Sequence, residues 1–184
     1  MRRAYADEVA GTIRELVTKR LPKFTGCDGL QDMQILTPMR KGTLGVQNLN
    51  QVLQQTLNPA APDKREVQFR QITFREGDKV MQIRNNYDII YTRDDGEQGV
   101  GVYNGDIGII EMIDRPTRSL HIRYDDRVAE YTFDLLDQLE LAYAVTVHKS
   151  QGSEFDAVIL PITGSRSKLF YRNLLYTAVT RAKK

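Results

Sequence analysis

Residues 146–155, TVHKSQGSEF, carry the most information about the fold. They follow an apolar, β-rich stretch at 142–147 and precede a second apolar stretch at 156–162, so the sequence predicts strand, polar loop and buried strand. The loop puts hydroxyls, a lysine and a glycine at the carboxyl end of a strand, where open α/β sheets bind ligands. Such groups suit phosphates. An ordinary polar loop is the alternative, and composition alone does not decide between the two.

A basic segment lies further along, at residues 174–184, LLYTAVTRAKK. It falls in a helix predicted over 168–183, in which Thr177 and Arg181 share one side. An arginine near a neighbouring surface can bind a phosphate oxygen and stabilise charge during phosphoryl transfer. The alternative is a basic last turn that the helix dipole favours, and alone it is the better interpretation.

A third segment, residues 35–42, reads ILTPMRKG. A strand predicted over 33–37 stops at Pro38, and Arg40 and Lys41 follow it. Basic groups therefore stand again where a parallel strand would end. A solvated turn is the better interpretation of this segment alone.

Outside these segments the hydrophobic period changes twice. Helical spacing predicts helices over 4–20, ended by Pro22, and over 46–57, with a linker at 58–64. From 67 to 140 the pattern alternates, with a turn at Asn104-Gly105 and a flexible tip at 94–101. About five short strands suggest a small antiparallel barrel. The prediction is an α/β domain of residues 1–66 and 141–184 with a β-barrel of residues 67–140 inserted into it.

Composition excludes several classes of protein. The chain has 184 residues, a net charge of +2, one cysteine and two histidines. This rules out a disulfide framework, makes a structural zinc site very unfavourable and fits a reducing, cytoplasmic compartment. Neither a secretory signal nor an apolar run of membrane-spanning length is present, so no membrane contact is expected. Cys27 is expected to be an unreactive loop residue, no metal ligands are predicted, and the charge is not that of a strongly basic nucleic-acid-binding domain.

Taken together, the three segments resemble motifs IV, V and VI of superfamily 1 helicases. The closest resemblance is to the RecD-type branch, which comprises the exodeoxyribonuclease V alpha subunit and its stand-alone relatives. Residues 74–87, FREGDKVMQIRNNY, and 102–110, VYNGDIGII, resemble the SH3-like 2B insertion of those helicases. Tyrosines 87, 91 and 103 could stack on bases, but packing in the barrel core is the expected use for most of them.

The resemblance implies a RecA-like (P-loop NTPase-type) second motor domain, 2A, with an inserted SH3-like antiparallel β-barrel. It implies the C-terminal motor half of an ATP-dependent 5′–3′ DNA helicase for recombination and repair. Arg181 would be the arginine finger at the γ-phosphate, and Arg40 the basic motif IV residue near the same phosphate. Gly152 and Glu154 would face the nucleotide. The residues that would face single-stranded DNA are Thr146, His148, Lys149 and Ser150.

The chain departs from a complete motor, because it contains no G-x-x-x-x-G-K-[ST] sequence and no acidic Mg²⁺ motif before motif IV. ATP and Mg²⁺ would be bound mainly by an N-terminal RecA-like domain. The isolated chain is therefore expected to be an inactive fragment. The resemblance implies as partners single-stranded DNA, that N-terminal domain and, in a recombination enzyme, RecB- and RecC-like subunits. The sequence does not distinguish among a subunit of a recombination enzyme, a stand-alone helicase and a helicase domain of a relaxase. The alternative is a non-enzymatic module that binds nucleic acid or protein.

Overall fold

The computed structural model describes residues 6–26, 28, 30–161 and 168–183. Cys27 lies outside them. The chain divides into two compact units, one of Met1–Leu57 with Tyr143–Lys184 and one of Asn58–Ala142.

Along the chain, a helical stretch, one strand and a helix come first, and the nine strands of the second unit follow. Two further strands and a helix then complete the first unit. The helices are α1 (Ala6–Glu15), α2 (Leu21–Thr25), α3 (Val46–Leu57) and α4 (Lys168–Val179), with a π-helical turn at Leu16–Arg20 and a 3₁₀ helix at Phe133–Gln138. The strands are β1 (Met33–Thr37), β2 (Glu66–Phe69), β3 (Ile72–Arg75), β4 (Lys79–Gln82), β5 (Asn86–Arg93), β6 (Gln98–Val102), β7 (Ile107–Asp114), β8 (Ser119–Tyr124), β9 (Arg127–Thr132), β10 (Leu139–Leu141), β11 (Ala144–Thr146) and β12 (Ala157–Ile159).

The first unit opens with helix that runs past its predicted end. Pro22 does not stop it, because the proline stands in the first turn of α2, where its missing N–H is not needed. The helix ends instead at Gly26, which has a left-handed φ of 72°. Ile13 and Val17 of this helical stretch are buried.

A three-stranded parallel sheet organises the first unit, with β1 between β11 and β12. Thr37 lies opposite Thr146, and Met33 opposite Ala157. Helix α3 packs here through Asn50, whose side chain accepts from the Ala144 amide at 2.7 Å and donates to the Ala144 carbonyl at 3.0 Å. The strands are parallel, so the sheet has one carboxyl edge, at Thr37 and Thr146, and one amino edge, at Ala157.

The second unit is antiparallel. Seven strands pair in the order β10-β4-β7-β8-β9-β5-β6, and β2 and β3 form a separate hairpin. The number of strands therefore exceeds the five or so predicted. Within the described residues the ladder runs from β10 to β6 without a pairing that joins those two, so the predicted closure into a barrel is not observed.

One of the extra strands, β6, falls in the predicted flexible tip at 94–101. The tip is shorter, because residues from Gln98 to Val102 pair with β5. Glycine is uncommon in strands, so the two glycines of β6 favoured the prediction of a loop. At Gly99 a Cβ atom would lie 2.4 Å from the Tyr91 ring, so this position has no room for a side chain.

The boundary between the units also differs from the prediction. Asn58, in the predicted linker, is buried and donates to the Asp78 carboxylate at 2.7 Å. Its carbonyl accepts from the buried Arg75 guanidinium. These bonds attach residues 58–66 to the second unit, so the boundary precedes Asn58 rather than following residue 66.

Tyrosine hydroxyls are bonded inside the second unit. The hydroxyls of Tyr124 and Tyr131 lie 2.8 Å apart, and Tyr131 donates to Gln82 Oε1 at 3.0 Å. Burial raises the pKa of both phenols well above the usual value, so both stay protonated. In neither unit does a described helix have the length and apolar character needed to cross a membrane.

Candidate functional site

The segment after β11 is a series of turns. The Thr146 carbonyl accepts from the amides of Lys149 at 2.9 Å and Ser150 at 3.2 Å. The Thr146 hydroxyl also accepts from the Lys149 amide at 3.3 Å, in the manner of a helix cap. Thr146 thus both ends the strand at the carboxyl edge and organises the turn that follows.

Side chains of this turn differ in exposure. His148 is exposed, and Thr146 and Lys149 are half-buried. Ser150 is fully buried, and its hydroxyl donates to the Val147 carbonyl at 2.8 Å. In this conformation Ser150 presents no hydroxyl to solvent, contrary to the role predicted for it.

Arg40 lies at the same carboxyl edge. The loop after β1 turns back into α3, with the Val46 amide donating to Met39 at 2.9 Å and the Gln47 amide to Arg40 at 3.3 Å. Thr37 fixes this loop by donating from its hydroxyl to the Leu44 carbonyl at 2.7 Å. The Arg40 side chain is exposed. Because β1 and β11 are neighbours, the loop that contains Arg40 and the turn after Thr146 both begin at the carboxyl edge.

The second half of the 146–155 segment returns to the amino edge. Gly152 has a φ of +90°, which favours glycine, and Glu154 is exposed. The Phe155 amide then donates to the Arg181 carbonyl at 2.8 Å, and the Lys183 amide donates to the Phe155 carbonyl at 2.9 Å. The segment therefore brings Glu154 close to Arg181.

Helix α4 ends at Val179, earlier than predicted. The Arg181 amide donates to Ala178 at 3.1 Å, and Ala182 forms a parallel bridge with Phe155. Pairing with Phe155 requires extended backbone, so the helix cannot continue to residue 183. Thr177 and Arg181 therefore do not share a helix face.

The Arg181 side chain has an unsatisfied donor. It is half-buried, and its Nε is buried without a hydrogen-bond partner among the residues that the structure describes. A buried donor of a charged group is costly to leave unpaired. An anion at the amino edge would satisfy it.

The two predicted phosphate-binding arginines lie at opposite edges of the sheet. Thr37 and Ala157 are four residues apart along the strand axis, which corresponds to about 13 Å. Arg40 follows Thr37, whereas Arg181 pairs with a residue that precedes Ala157. The backbones of Arg40 and Arg181 therefore follow opposite edges of the sheet. The signal was present in the sequence, since a helix that follows a parallel strand returns the chain to the amino edge.

The tyrosines of the second unit correct a further prediction. Tyr87 is 63% exposed and Tyr103 44% exposed, so neither packs in a core. Only Tyr91 is half-buried, with the Arg127 guanidinium 4.8 Å from its ring centroid. Among the described residues no three His, Cys, Asp or Glu side chains are grouped so as to hold a metal ion.

Comparisons with known proteins identify the two parts of the chain. Residues 49–124 match the family described as the ATP-dependent RecD-like DNA helicase SH3 domain. Residues 141–184 match the UvrD-like helicase C-terminal domain. The chain is 36% identical over 151 residues to the ATP-dependent RecD2 DNA helicase of Deinococcus radiodurans, covering 82% of this chain and 19% of that protein.

The RecBCD enzyme subunit RecD of Buchnera aphidicola subsp. Schizaphis graminum is 28% identical over 152 residues, covering 82% of this chain and 23% of that protein. The chain thus spans about a fifth of the length of these curated relatives.

Solved structures of Pif1 helicases share the fold. One, from work on DNA unwinding at forked dsDNA by two coordinating Pif1 helicases, has a TM-score of 0.52 at 20% identity and covers 100% of this chain and 46% of that one. Another, Pif1 from Bacteroides in complex with ADP-AlF3 and ssDNA, has a TM-score of 0.51 at 17% identity and covers 98% of this chain and 44% of that one. The resemblance to RecD-type helicases is confirmed: the chain belongs to the RecD-like superfamily 1 DNA helicases, over the region of their SH3 domain and a UvrD-like C-terminal domain.

Proposed function

We propose that this chain is the second motor domain, with its SH3-like insertion, of an ATP-dependent 5′–3′ RecD-type DNA helicase. It supplies an arginine to the γ-phosphate and contacts to single-stranded DNA. The observation that carries the proposal is the buried, unpartnered Nε of Arg181 at the edge that also holds Glu154. The relatives named as DNA helicases support it.

The nucleotide side of the proposal is the amino edge. Phosphoryl transfer needs positive charge at the γ-phosphate, which Arg181 would supply, and an arginine from a second domain couples turnover to closure of the cleft. Gly152 and Glu154 would line the same side. Because the chain contains no G-x-x-x-x-G-K-[ST] sequence, Mg²⁺ and most of the ATP would be held by the N-terminal RecA-like domain.

The DNA side is the carboxyl edge, with Thr146, His148 and Lys149. Arg40 belongs with these residues, because it stands at their edge, and we assign it to a DNA phosphate instead of the γ-phosphate. Ser150 would act only within its turn. One segment, 146–155, would thus contact DNA at its start and nucleotide at its end. The solved Pif1 complex with ADP-AlF3 and ssDNA supports the pairing of these two ligands.

The wider role is proposed from the names of the relatives. Likeness to a RecBCD subunit supports work in DNA recombination and repair, with RecB- and RecC-like subunits as partners. Likeness to a RecD2 helicase supports a stand-alone motor equally well. In both cases the N-terminal RecA-like domain is the required partner.

Arg181→Ala tests the proposal in a helicase that contains this chain and a P-loop domain. Loss of the guanidinium removes positive charge from the transition state, so DNA-stimulated ATP turnover should fall by about 10³-fold. Single-stranded DNA binding, measured by fluorescence anisotropy, should not change. Phosphate release at saturating ATP and DNA is the measurement, with circular dichroism to check folding.

Two variants sharpen this test. Arg172→Ala removes an exposed arginine of α4 and should leave turnover unchanged. Arg40→Ala should weaken DNA binding and leave turnover at saturating DNA within a few-fold of wild type. If a folded Arg181→Ala helicase keeps full turnover, Arg181 takes no part in ATP hydrolysis. That result would favour the alternative, in which this chain only binds nucleic acid or protein.

A further inference from the structure

The edge of the second unit's sheet at β6 lacks two of the usual protections against strand pairing, a charged residue and a proline. β6 is the last strand of the order, and its sequence, QGVGV, contains neither a charged residue nor a proline. Natural proteins protect open edges with lysine, proline or a covering element. The opposite edge strand, β10, is protected by burial of Leu139 and Leu141. The β6 edge is therefore the exception within this sheet.

The hydrogen-bond register fixes which groups of β6 face outward. The Arg93 amide donates to Glu97 at 2.8 Å, and Tyr91 lies opposite Gly99. Bonded and non-bonded pairs alternate along an antiparallel ladder, so the peptide groups of Gln98 and Val100 point away from β5. Both residues are exposed. The edge thus offers a short row of donors and acceptors to another strand.

Apolar surface accompanies this edge on the β5–β6 hairpin. Val100 is 60% exposed and lies directly opposite Ile90, which is 57% exposed. The exposed rings of Tyr87 and Tyr103 form an edge-to-face pair with centroids 5.9 Å apart. Single exposed apolar side chains are common, but four on one hairpin beside an open edge are typical of an interaction surface.

Charge selects the partner. Between residues 86 and 102 there are four carboxylates and one guanidinium. The guanidinium, Arg93, pairs with Asp126, whereas Asp88, Asp95 and Glu97 form no ion pair within the described part of the chain. This acidic surface disfavours a nucleic-acid backbone and a second copy of the same hairpin. It favours a cationic polypeptide.

We propose that β6 binds an extended, basic segment of a partner protein, which adds to the sheet as a further strand. Backbone bonds to Gln98 and Val100 hold the segment, as in other strand-addition complexes. Its lysines or arginines face Asp95 and Glu97, and its apolar side chains cover Ile90 and Val100. This site belongs to the second unit, whereas the two edges assigned to DNA and nucleotide belong to the first.

The test uses the 184-residue chain and a labelled, blocked peptide of alternating lysine and valine. Anisotropy should show binding that weakens as NaCl is raised, and amide chemical shifts should change at Gln98 and Val100. The same peptide with glutamate in place of lysine should not bind. Val100→Pro, which removes one outward donor and leaves the β5 ladder, should weaken binding about tenfold. Val100→Thr, which keeps that donor, should bind like wild type.

Other outcomes overturn the proposal. Equal binding by folded Val100→Pro and wild type would exclude strand addition. Concentration-dependent self-association with shifts at β6 would make a second copy the occupant. If a single-stranded oligonucleotide causes larger amide shifts at β6 than the lysine–valine peptide does, the occupant of this edge is a nucleic acid. A combined Asp95→Asn and Glu97→Gln variant that keeps the salt dependence would exclude the charge argument.

Discussion

Lys149 lies half-buried, one turn beyond the end of β11, and its amide is fixed by Thr146. If its ammonium contacts a DNA phosphate, Lys149→Ala should weaken binding of single-stranded DNA. The slope of log affinity against log salt should fall by ~0.7, which corresponds to one phosphate on a single strand. Anisotropy titrations of the 184-residue chain at several salt concentrations measure this slope.

Lys183→Ala is the matched control for this prediction. Lys183 stands near the amino edge, where its ammonium lies 3.5 Å from Asp156, and it should not change the salt slope. If both variants lose the same slope, the effect is one of overall charge, and Lys149 is not a specific contact.

Single residues also show how far the sequence predicted the place of the segment after β11. The sequence indicated that residues after Thr146 stand at the end of a parallel strand, and the structure confirms this. It did not indicate that the Ser150 hydroxyl turns inward to Val147. A serine three residues after a carbonyl can bond back to it or face solvent, and only the turn's geometry chooses between them.

At the scale of elements, β7 and β8 pack with no space for a side chain at Gly108. A Cβ atom there would lie 2.5 Å from the Arg123 carbonyl oxygen and 2.7 Å from a methyl group of Ile122. Because one contact is with backbone, the strands would have to separate. Gly108→Ala should therefore lower the free energy of unfolding by about 1–3 kcal/mol, measured by urea titration.

The control for this element is Gly11→Ala in α1. A Cβ atom at Gly11 would meet nothing within 4 Å, and alanine is the better helix former, so stability should stay equal or rise by up to about 1 kcal/mol. If the Gly108→Ala protein is as stable as wild type, β7 and β8 can move apart to admit a methyl group without a measurable cost in free energy.

Elements with a clear period were predicted closely, and elements without one were not. Met33–Thr37 and Val46–Leu57 stand where the pattern of apolar residues puts them. β6 was missed because two of its residues are glycines, although QGVGV does alternate with the period of a strand. The end of α4 was missed because pairing of Ala182 with Phe155 is a tertiary event.

At the scale of the whole molecule, the proposal makes this chain half of a motor. The sequence has no P-loop motif to hold the phosphates of ATP. We therefore expect the 184-residue chain alone to release no phosphate from ATP, with or without DNA. A phosphate-release assay against the Arg181→Ala chain as blank measures this, and turnover above that blank would contradict the expectation.

The sequence by itself determined the class of fold, the interruption of an α/β unit by a β-rich one, and the resemblance to RecD-type helicases. It could do so because hydrophobic period and motif spacing are local properties of the chain. The tertiary structure decided the edges: that Arg40 follows the carboxyl end of β1 whereas the Arg181 backbone pairs with Phe155 before β12, and that β6 is left open. Which edge a side chain reaches depends on the direction in which each crossover returns. That direction is set by packing between segments far apart in sequence.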